Sequence, residues 1–306
     1  MLNPLQDKLG DVNSGSASFF SPTVLPTQYK ESYLERLLVS ANYLKSRFTE
    51  IPNTLIVTGS GLSGVINSIQ NPDIIPYDEI PNFTNPKNDG HPGLLIKGSL
   101  NDKDVVVFNG RWHYHDGLLP QEVTFPIRLM ICLGVKNIIQ TNAAGRLSKK
   151  VEIGDLMVLE DHVFFDTDPN LGIADIFRTD KFYSPDVAYD KDLSDRFLEI
   201  AQRKNIRATS GVYRFLSGPG YQTKAEEKIL LNSGCDAVGM STIPEILAAK
   251  CMDEENELRM LAISAIVSDA AMFSSTILTS NEVIETANQC TENLSKVLFE
   301  LVGELN

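Results

Sequence analysis

Thr54-Leu-Ile-Val-Thr-Gly-Ser-Gly-Leu-Ser-Gly64 decides the fold class. Thr54 to Thr58 is an apolar, β-rich run that feeds a glycine turn, and a helix-like segment follows. An unbroken apolar run of this kind suits a strand buried on both faces, as in a parallel sheet covered by helices. The turn, Gly59-Ser60-Gly61-Leu62-Ser63-Gly64, matches the G-x-G-x-x-G dinucleotide fingerprint in its strand-to-helix setting. That fingerprint also wants an acidic residue about 20 positions on, ending a second strand. Asp78 and Glu79 lie near that distance, but Pro76 and Pro81 flank them and the preceding segment is a poor strand. Two other readings stay open here. One is a phosphate loop, in which glycines let the backbone approach an anion and Ser60 donates a hydrogen bond. The other is a tight turn that binds nothing.

Working outward, Tyr29 to Phe48 carries Tyr33, Leu37, Leu38, Ala41 and Leu44 at helical spacing. Strand-like runs follow at Gly93 to Gly98 and Asp104 to Asn109, then a helix over Thr124 to Leu133 and a strand over Val135 to Thr141. The alternation continues with strands at Gly154 to Leu159, Gly211 to Leu216, Ala237 to Gly239 and Leu258 to Val267. Helices are expected at Thr223 to Asn232, Ile243 to Cys251 and Asn281 to Leu301. Alternating strands and helices mean an α/β sandwich around a parallel or mixed sheet. No Pro/Gly/Ser linker or internal repeat interrupts it, so residues 28–306 read as one domain behind an N-terminal arm, residues 1–27. Leu159 to Asp186, polar and aromatic without clear period, reads as a long functional loop.

Composition narrows the function. A net charge of -13 disfavours nucleic acid and anionic membranes, both of which favour basic surfaces. A locally positive pocket for a small anion remains compatible with it. Cys132, Cys235, Cys251 and Cys290 are too scattered for a disulfide framework or a zinc site. Separated thiols, no membrane-length apolar run and no signal-peptide core lead to the expectation of a cytoplasmic protein. Asn82-Phe-Thr84 and Asn293-Leu-Ser295 then read as chance matches to the glycosylation pattern.

Several later segments belong together. Asp89-Gly-His91-Pro-Gly93 sets a histidine in a tight turn, and Asn109-Gly-Arg111-Trp-His113-Tyr-His115-Asp-Gly117 follows a strand. Val123-Thr-Phe-Pro-Ile-Arg128 opens a helix, and Thr141-Asn-Ala-Ala-Gly145 ends a strand in small residues. Cys235-Asp-Ala-Val-Gly-Met-Ser-Thr-Ile-Pro-Glu245 is another strand-to-helix turn. In order and spacing these resemble the trimeric purine nucleoside phosphorylases, a family that includes methylthioadenosine phosphorylases, over about Thr54 to Gly303. The resemblance implies an α/β fold, a three-layer α/β/α sandwich with a central mixed sheet. It also implies a homotrimer and reversible phosphorolysis of a purine (deoxy)ribonucleoside to free base and sugar 1-phosphate. No metal and no cofactor beyond inorganic phosphate are expected.

Carried over by resemblance, the phosphate site is Ser60, His91, Arg111, His113, Ala143 and Ser241. Arg111 offers a bidentate fork, and Ser241 opens a helix whose N-terminus favours an anion. Taken singly, Arg111 reads as a surface ion pair and either histidine as a loop histidine. The ribose site is His115, Tyr221, Met240 and Gln289, and the base site Ala144, Gly145, Gln222, Val238, Ser268 and Asp269.

The base half departs from the family pattern. Gln222 replaces a glutamate that accepts from purine N1–H and N2–H₂; an amide accepts one bond but donates the other. Ser268 stands where an asparagine lies beside N7, with Asp269 next to it. His115 replaces a common tyrosine, Gln289 a 5′-hydroxyl histidine, and Arg146 a glycine, so Arg146 is expected to intrude on the base or add a donor. Phe177 is the candidate for an aromatic residue supplied to a neighbouring active site. These changes keep open a phosphorylase of another N-riboside, such as xanthosine, a modified purine riboside or nicotinamide riboside. A non-catalytic trimeric binding protein is a further alternative.

Overall fold

The computed structural model describes residues 27–59, 62–86, 92–186, 188–269 and 280–305, with side chains in the last segment from 286 onward. The arm read at residues 1–27 lies outside them except for Thr27, which already begins helix α1, Thr27–Arg47. The strands are β1 (Thr54–Thr58), β2 (Gln70–Pro76), β3 (Leu94–Leu100), β4 (Lys103–Asn109), β5 (Asn137–Arg146), β6 (Leu156–Val163), β7 (Ala208–Phe215), β8 (Ala237–Gly239) and β9 (Arg259–Asp269). The other helices are α2 (Pro120–Val123), α3 (Phe125–Cys132), α4 (Lys191–Arg203), α5 (Lys224–Leu231), α6 (Ile243–Met252) and α7 (Ser280–Glu304).

Period-2 alternation sorts the sheet residues between two faces. Leu55, Val57, Val106, Phe108 and Ile138 join one buried cluster with α1, α3 and α6. Ile56, Val105, Val107 and Ile139 join a second with α4 and α7. Helices therefore cover a mixed sheet on both faces, as expected. Three elements, the short α2, α4 and β2, are additional to those read from the sequence. The α4 stripe Leu193, Phe197, Ile200 and Ala201 is buried, and Asp190 caps the helix by accepting from the Leu193 amide at 2.8 Å. Strand β2 is a largely exposed edge whose polar and proline content hides it from a periodicity argument. It pairs antiparallel with β3, and Asp78 and Glu79 lie in a 3-10 turn beyond it. No parallel second strand leads to those acids, so the dinucleotide reading falls.

The sheet runs β2-β3-β4-β1-β5-β8-β7-β6-β9, and β9 also pairs with β5. Strands β5, β8, β7, β6 and β9 thus close into a ring. β4, β1, β5 and β9 are mutually parallel, so their carboxyl ends meet at one edge, where open α/β sheets bind ligands. Pairing of β1 with β5 ends at Val57 opposite Gln140, and β8 joins β5 only at Gly145. Between those points one edge of β5, Thr141 to Ala144, has no strand beside it among the described residues. Gly59 turns the chain against this stretch.

A Cβ on Gly59 would lie 2.7 Å from both the Asn142 Cα and the Thr141 carbonyl oxygen, backbone atoms that cannot swing away. Gly59→Ala is expected to lose about 1–3 kcal/mol, the usual cost of overpacking. Urea unfolding of both proteins measures this, and an unchanged midpoint would contradict the close approach.

Candidate active site

The site is built first by Trp112. This side chain is buried, stacked on Tyr77 at 4.8 Å and edge-on to Phe83 at 5.3 Å, with its indole N–H donated to the Thr84 carbonyl at 2.7 Å. Trp112 anchors the segment after β4 in the aromatic core, and the residues on either side leave that core. Arg111 is 1% exposed. Its Nη1 donates to the Thr242 hydroxyl at 2.7 Å and its Nη2 to the Val57 carbonyl at 3.2 Å. Glu245 Oε2 lies 3.4 Å from the same Nη1. Arg111 is therefore a buried ion-pair member rather than a surface one. Burial pushes the Glu245 carboxyl up, against the opposing pull of Arg111.

Thr242 sits at φ +75° and ψ −54°, with the Ile243 amide bonded to the Ser241 carbonyl at 2.8 Å. This is a γ-turn of the rare, strained hand, and such backbone costs on the order of 1–3 kcal/mol. A network holds it. Thr242 Oγ1 accepts from Arg111 and, at 3.0 Å, from the Asn142 amide, whose own carbonyl accepts from Ser264 at 2.8 Å. The turn carries Ser241 to the start of α6, its hydroxyl 3.5 Å from that of Thr242. Neither Thr242 nor Glu245 was assigned a role from the sequence. The signal available was their place in the Met240-to-Glu245 strand-to-helix turn.

His113 and His115 stack with ring centroids 4.7 Å apart. The His113 amide donates to Asp116 Oδ2 at 2.8 Å, and its Nδ1 lies 3.8 Å from the same oxygen. Burial holds the His113 imidazole below its ordinary value; Arg111 and His115 add to the effect and Asp116 opposes it. Burial pushes the Asp116 carboxyl up, but the contacts from His113 outweigh it and the net value is low.

Strand pairing positions the residues expected around the base. A one-residue bulge at Val267 puts Ser268 opposite Gly145 and Asp269 opposite Arg146, where regular pairing from Ala144 and Ile266 would have put Val267 and Ser268. Arg146 Nε donates to Asp269 Oδ1 at 2.6 Å, and Arg146 also pairs with Glu152. Asp269 is thus an ion-pair partner, not a solvated turn residue, and Arg146 is directed at carboxylates. Val238 lies opposite Gly145, and Gly239 approaches Ala143. Gly218, at φ +69°, lies against both Met240 and His115: a Cβ there would be 2.6 Å from the Met240 sulfur and 3.2 Å from His115 Nδ1.

Tyr221 is 88% exposed, Gln222 is half-buried, and Gln289 is exposed on α7. Ser60 and His91 lie outside the described residues. Phe177 is engaged within its own chain, edge-on to Tyr33 at 6.3 Å and beneath Arg128 at 4.8 Å. Phe165 and Phe182, 83% and 73% exposed, are the outward-facing phenylalanines of that loop.

The phosphorylase superfamily model matches residues 53–303. Purine nucleoside phosphorylase 1 of Bacillus subtilis is 36% identical over 271 residues, 88% of this chain and 98% of its own. The Geobacillus stearothermophilus protein of that name is 39% identical over 267 residues, 87% of this chain and 96% of its own. The chain belongs to the purine nucleoside phosphorylase family. The Schistosoma mansoni purine nucleoside phosphorylase solved with adenosine is similar at TM-score 0.77 and 33% identity, covering 89% of this chain and 98% of that one. The family's α/β architecture therefore extends through the ring-closed half of the sheet.

In this family member, His113 is buried with its pKa below the ordinary 6.5. The folded state then binds fewer protons than the unfolded chain, so stability falls as pH drops from about 6.5 toward the folded value. His162 acts in the same direction through burial. Thermal unfolding in phosphate-free buffer is expected to give a midpoint that declines below about pH 6.5. His113→Gln should flatten the decline; an equally steep curve in that variant would contradict it.

Proposed function

We propose that the chain is a pentosyltransferase that phosphorolyses purine (deoxy)ribonucleosides to free base and (deoxy)ribose 1-phosphate. The observation that carries this reading is Arg111, buried where the parallel strands end and fixed beside Ser241 at the start of α6. A dianion needs a fixed cation, several donors and a favourable helix terminus. Arg111, His113, Ser241 and the Ala143 amide supply these, with Ser60 and His91 as their companions. Ala143 lies on the strand-free edge of β5, which leaves room for an anion to approach its N–H.

The chemistry follows from charge. The C1′–N9 bond stretches first, leaving an oxocarbenium-like sugar. Phosphate held below C1′ stabilises that cation and then captures it, so positioning and electrostatics do most of the catalysis. Met240 and His115, in contact through Gly218, line the ribose with Tyr221 and Gln289. The departing base gains negative charge, and a hydrogen bond to it lowers the barrier. Ala144, Gly145, Gln222, Val238, Ser268 and Asp269 surround the base. No metal or cofactor beyond phosphate takes part. The protein works as one domain in a cytoplasmic homotrimer, with the exposed Phe165 and Phe182, rather than Phe177, available to a neighbour. It uses neither nucleic acid nor membrane; no helix among the described residues is long and apolar enough to cross one.

Arg111→Ala is expected to lower kcat/KM for phosphate by an amount equivalent to about 2–5 kcal/mol. Adding Glu245→Gln avoids leaving a buried carboxylate unpaired. Near-wild-type turnover at low phosphate in a folded double variant would sink the assignment. Base release that needs no phosphate, or none from any nucleoside, would sink the reaction itself.

Gln222 and Ser268 favour a second reading, a shifted base preference. A site built for hydrogen bonds rejects partners that leave its groups unpaired. Inosine and guanosine are expected to be poorer than at least one other nucleoside. Xanthosine is the first to try, since the Gln222 amide can donate to a carbonyl where guanine carries its amino group. Gln222→Glu with Ser268→Asn should restore inosine and guanosine. The measurement is kcat/KM for inosine, guanosine, adenosine and xanthosine in both proteins. A wild-type preference for inosine or guanosine that the double change leaves alone would refute this account.

A further inference from the structure

His113, His115 and Asp116 bring three metal-ligating groups together in four residues. One ring nitrogen from each histidine and one carboxylate oxygen lie within 4.8 Å of one another. The local backbone fixes this arrangement. Residues Tyr114–Asp116 form a 3-10 turn closed by Gly117 at φ +82°, the Asp116 amide bonds the His113 carbonyl at 3.1 Å, and the His113 amide holds Asp116 Oδ2. A carboxylate already oriented by a backbone N–H is the kind of supported ligand that metal sites use.

The donor set selects the ion. Two imidazoles and a carboxylate suit zinc and its late transition-metal neighbours, whereas magnesium and calcium want oxygen alone. Three protein ligands leave a fourth position for solvent. Bonds of about 2.0–2.2 Å in a tetrahedron set ligand atoms about 3.3–3.6 Å apart. The His113 Nδ1 to Asp116 Oδ2 distance is 3.8 Å, so that pair needs only a small inward movement. His115, half-buried beside its stacked partner, supplies the rest by turning its side chain. The Arg111 charge opposes a cation here, but Glu245, 3.4 Å from the guanidinium, offsets it.

We propose that His113, His115 and Asp116 form an inhibitory zinc site in which the ion takes His113 away from phosphate. The zinc site stands on the three side chains; the inhibition rests on the phosphate and ribose placement given above. Zinc here is an inhibitor, not a cofactor, so removing it costs the reaction nothing. His115 is the deciding ligand, because the tyrosine common at this place in the family offers a neutral phenol in place of an imidazole.

The test is calorimetric titration of zinc chloride into the full, tag-free, chelator-treated protein in phosphate-free buffer, with magnesium chloride as control. The expected result is one zinc and no magnesium per chain, with at least tenfold weaker binding in both His115→Tyr and Asp116→Asn. Circular-dichroism melts verify that both variants fold. Sulfate has the shape and charge of a phosphate dianion and keeps zinc in solution; saturating sulfate should weaken zinc binding, and zinc should raise the apparent KM for phosphate. No zinc uptake, or uptake unchanged in both variants, overturns the site. Uptake that the variants lose but sulfate leaves untouched keeps the zinc site and overturns the placement of phosphate beside His113.

Discussion

The burial of the Arg111 guanidinium is the constraint on which the rest of the site depends. A charge removed from water must be paired and hydrogen-bonded, or it destabilises the fold. Glu245 supplies the counter-charge and Thr242 an acceptor, both from the start of α6, and β1 supplies the Val57 carbonyl. One side chain thus ties the end of β1, the segment after β4 and the start of α6 to a common point. The strained Thr242 turn persists because its hydroxyl accepts from both Arg111 and Asn142. Strain held by a polar network of this kind keeps Ser241 in place before any ligand arrives.

The aromatic cluster beneath plays the complementary part. Tyr77, Phe83, Phe108 and Trp112 pack edge-on or stacked, and the Tyr77 hydroxyl donates to the Gly110 carbonyl at 2.8 Å. That bond fixes the peptide just before Arg111. The long loop after β6 is fastened by similar means: Arg128 reaches the Pro169 carbonyl and the Asn170 side chain, and Asn170 reaches Tyr183. Polar bonds from buried residues, more than regular structure, therefore set the course of these two segments.

The two groups of residues proposed for phosphate and for the base are held in different ways. Arg111, Thr242, Asn142 and Ser264 bond one another and the Val57 carbonyl across β1, β5, β9 and the start of α6. The residues proposed for the base end in the Arg146–Asp269 pair, in which the two side chains occupy each other. An aspartate engaged by a guanidinium keeps less acceptor capacity for any other donor.

Local chemistry made much of this legible beforehand. The apolar run before Gly59, the helical stripes of α1 and α7, and the ordered motifs from Arg111 to Glu245 determined an α/β chain and its family, because periodicity and motif spacing are properties of neighbouring residues. Strand β2 stayed hidden because it is an edge with little buried surface to impose a pattern. The partners of Arg111 and Arg146 stayed hidden for another reason: Thr242, Glu245 and Asp269 lie more than a hundred residues away in sequence. Ring closure by β9 against β5 and the bulge at Val267 decided which side chains face one another. Both arise from backbone pairing between distant segments, a long-range free-energy balance that only the folded chain resolves.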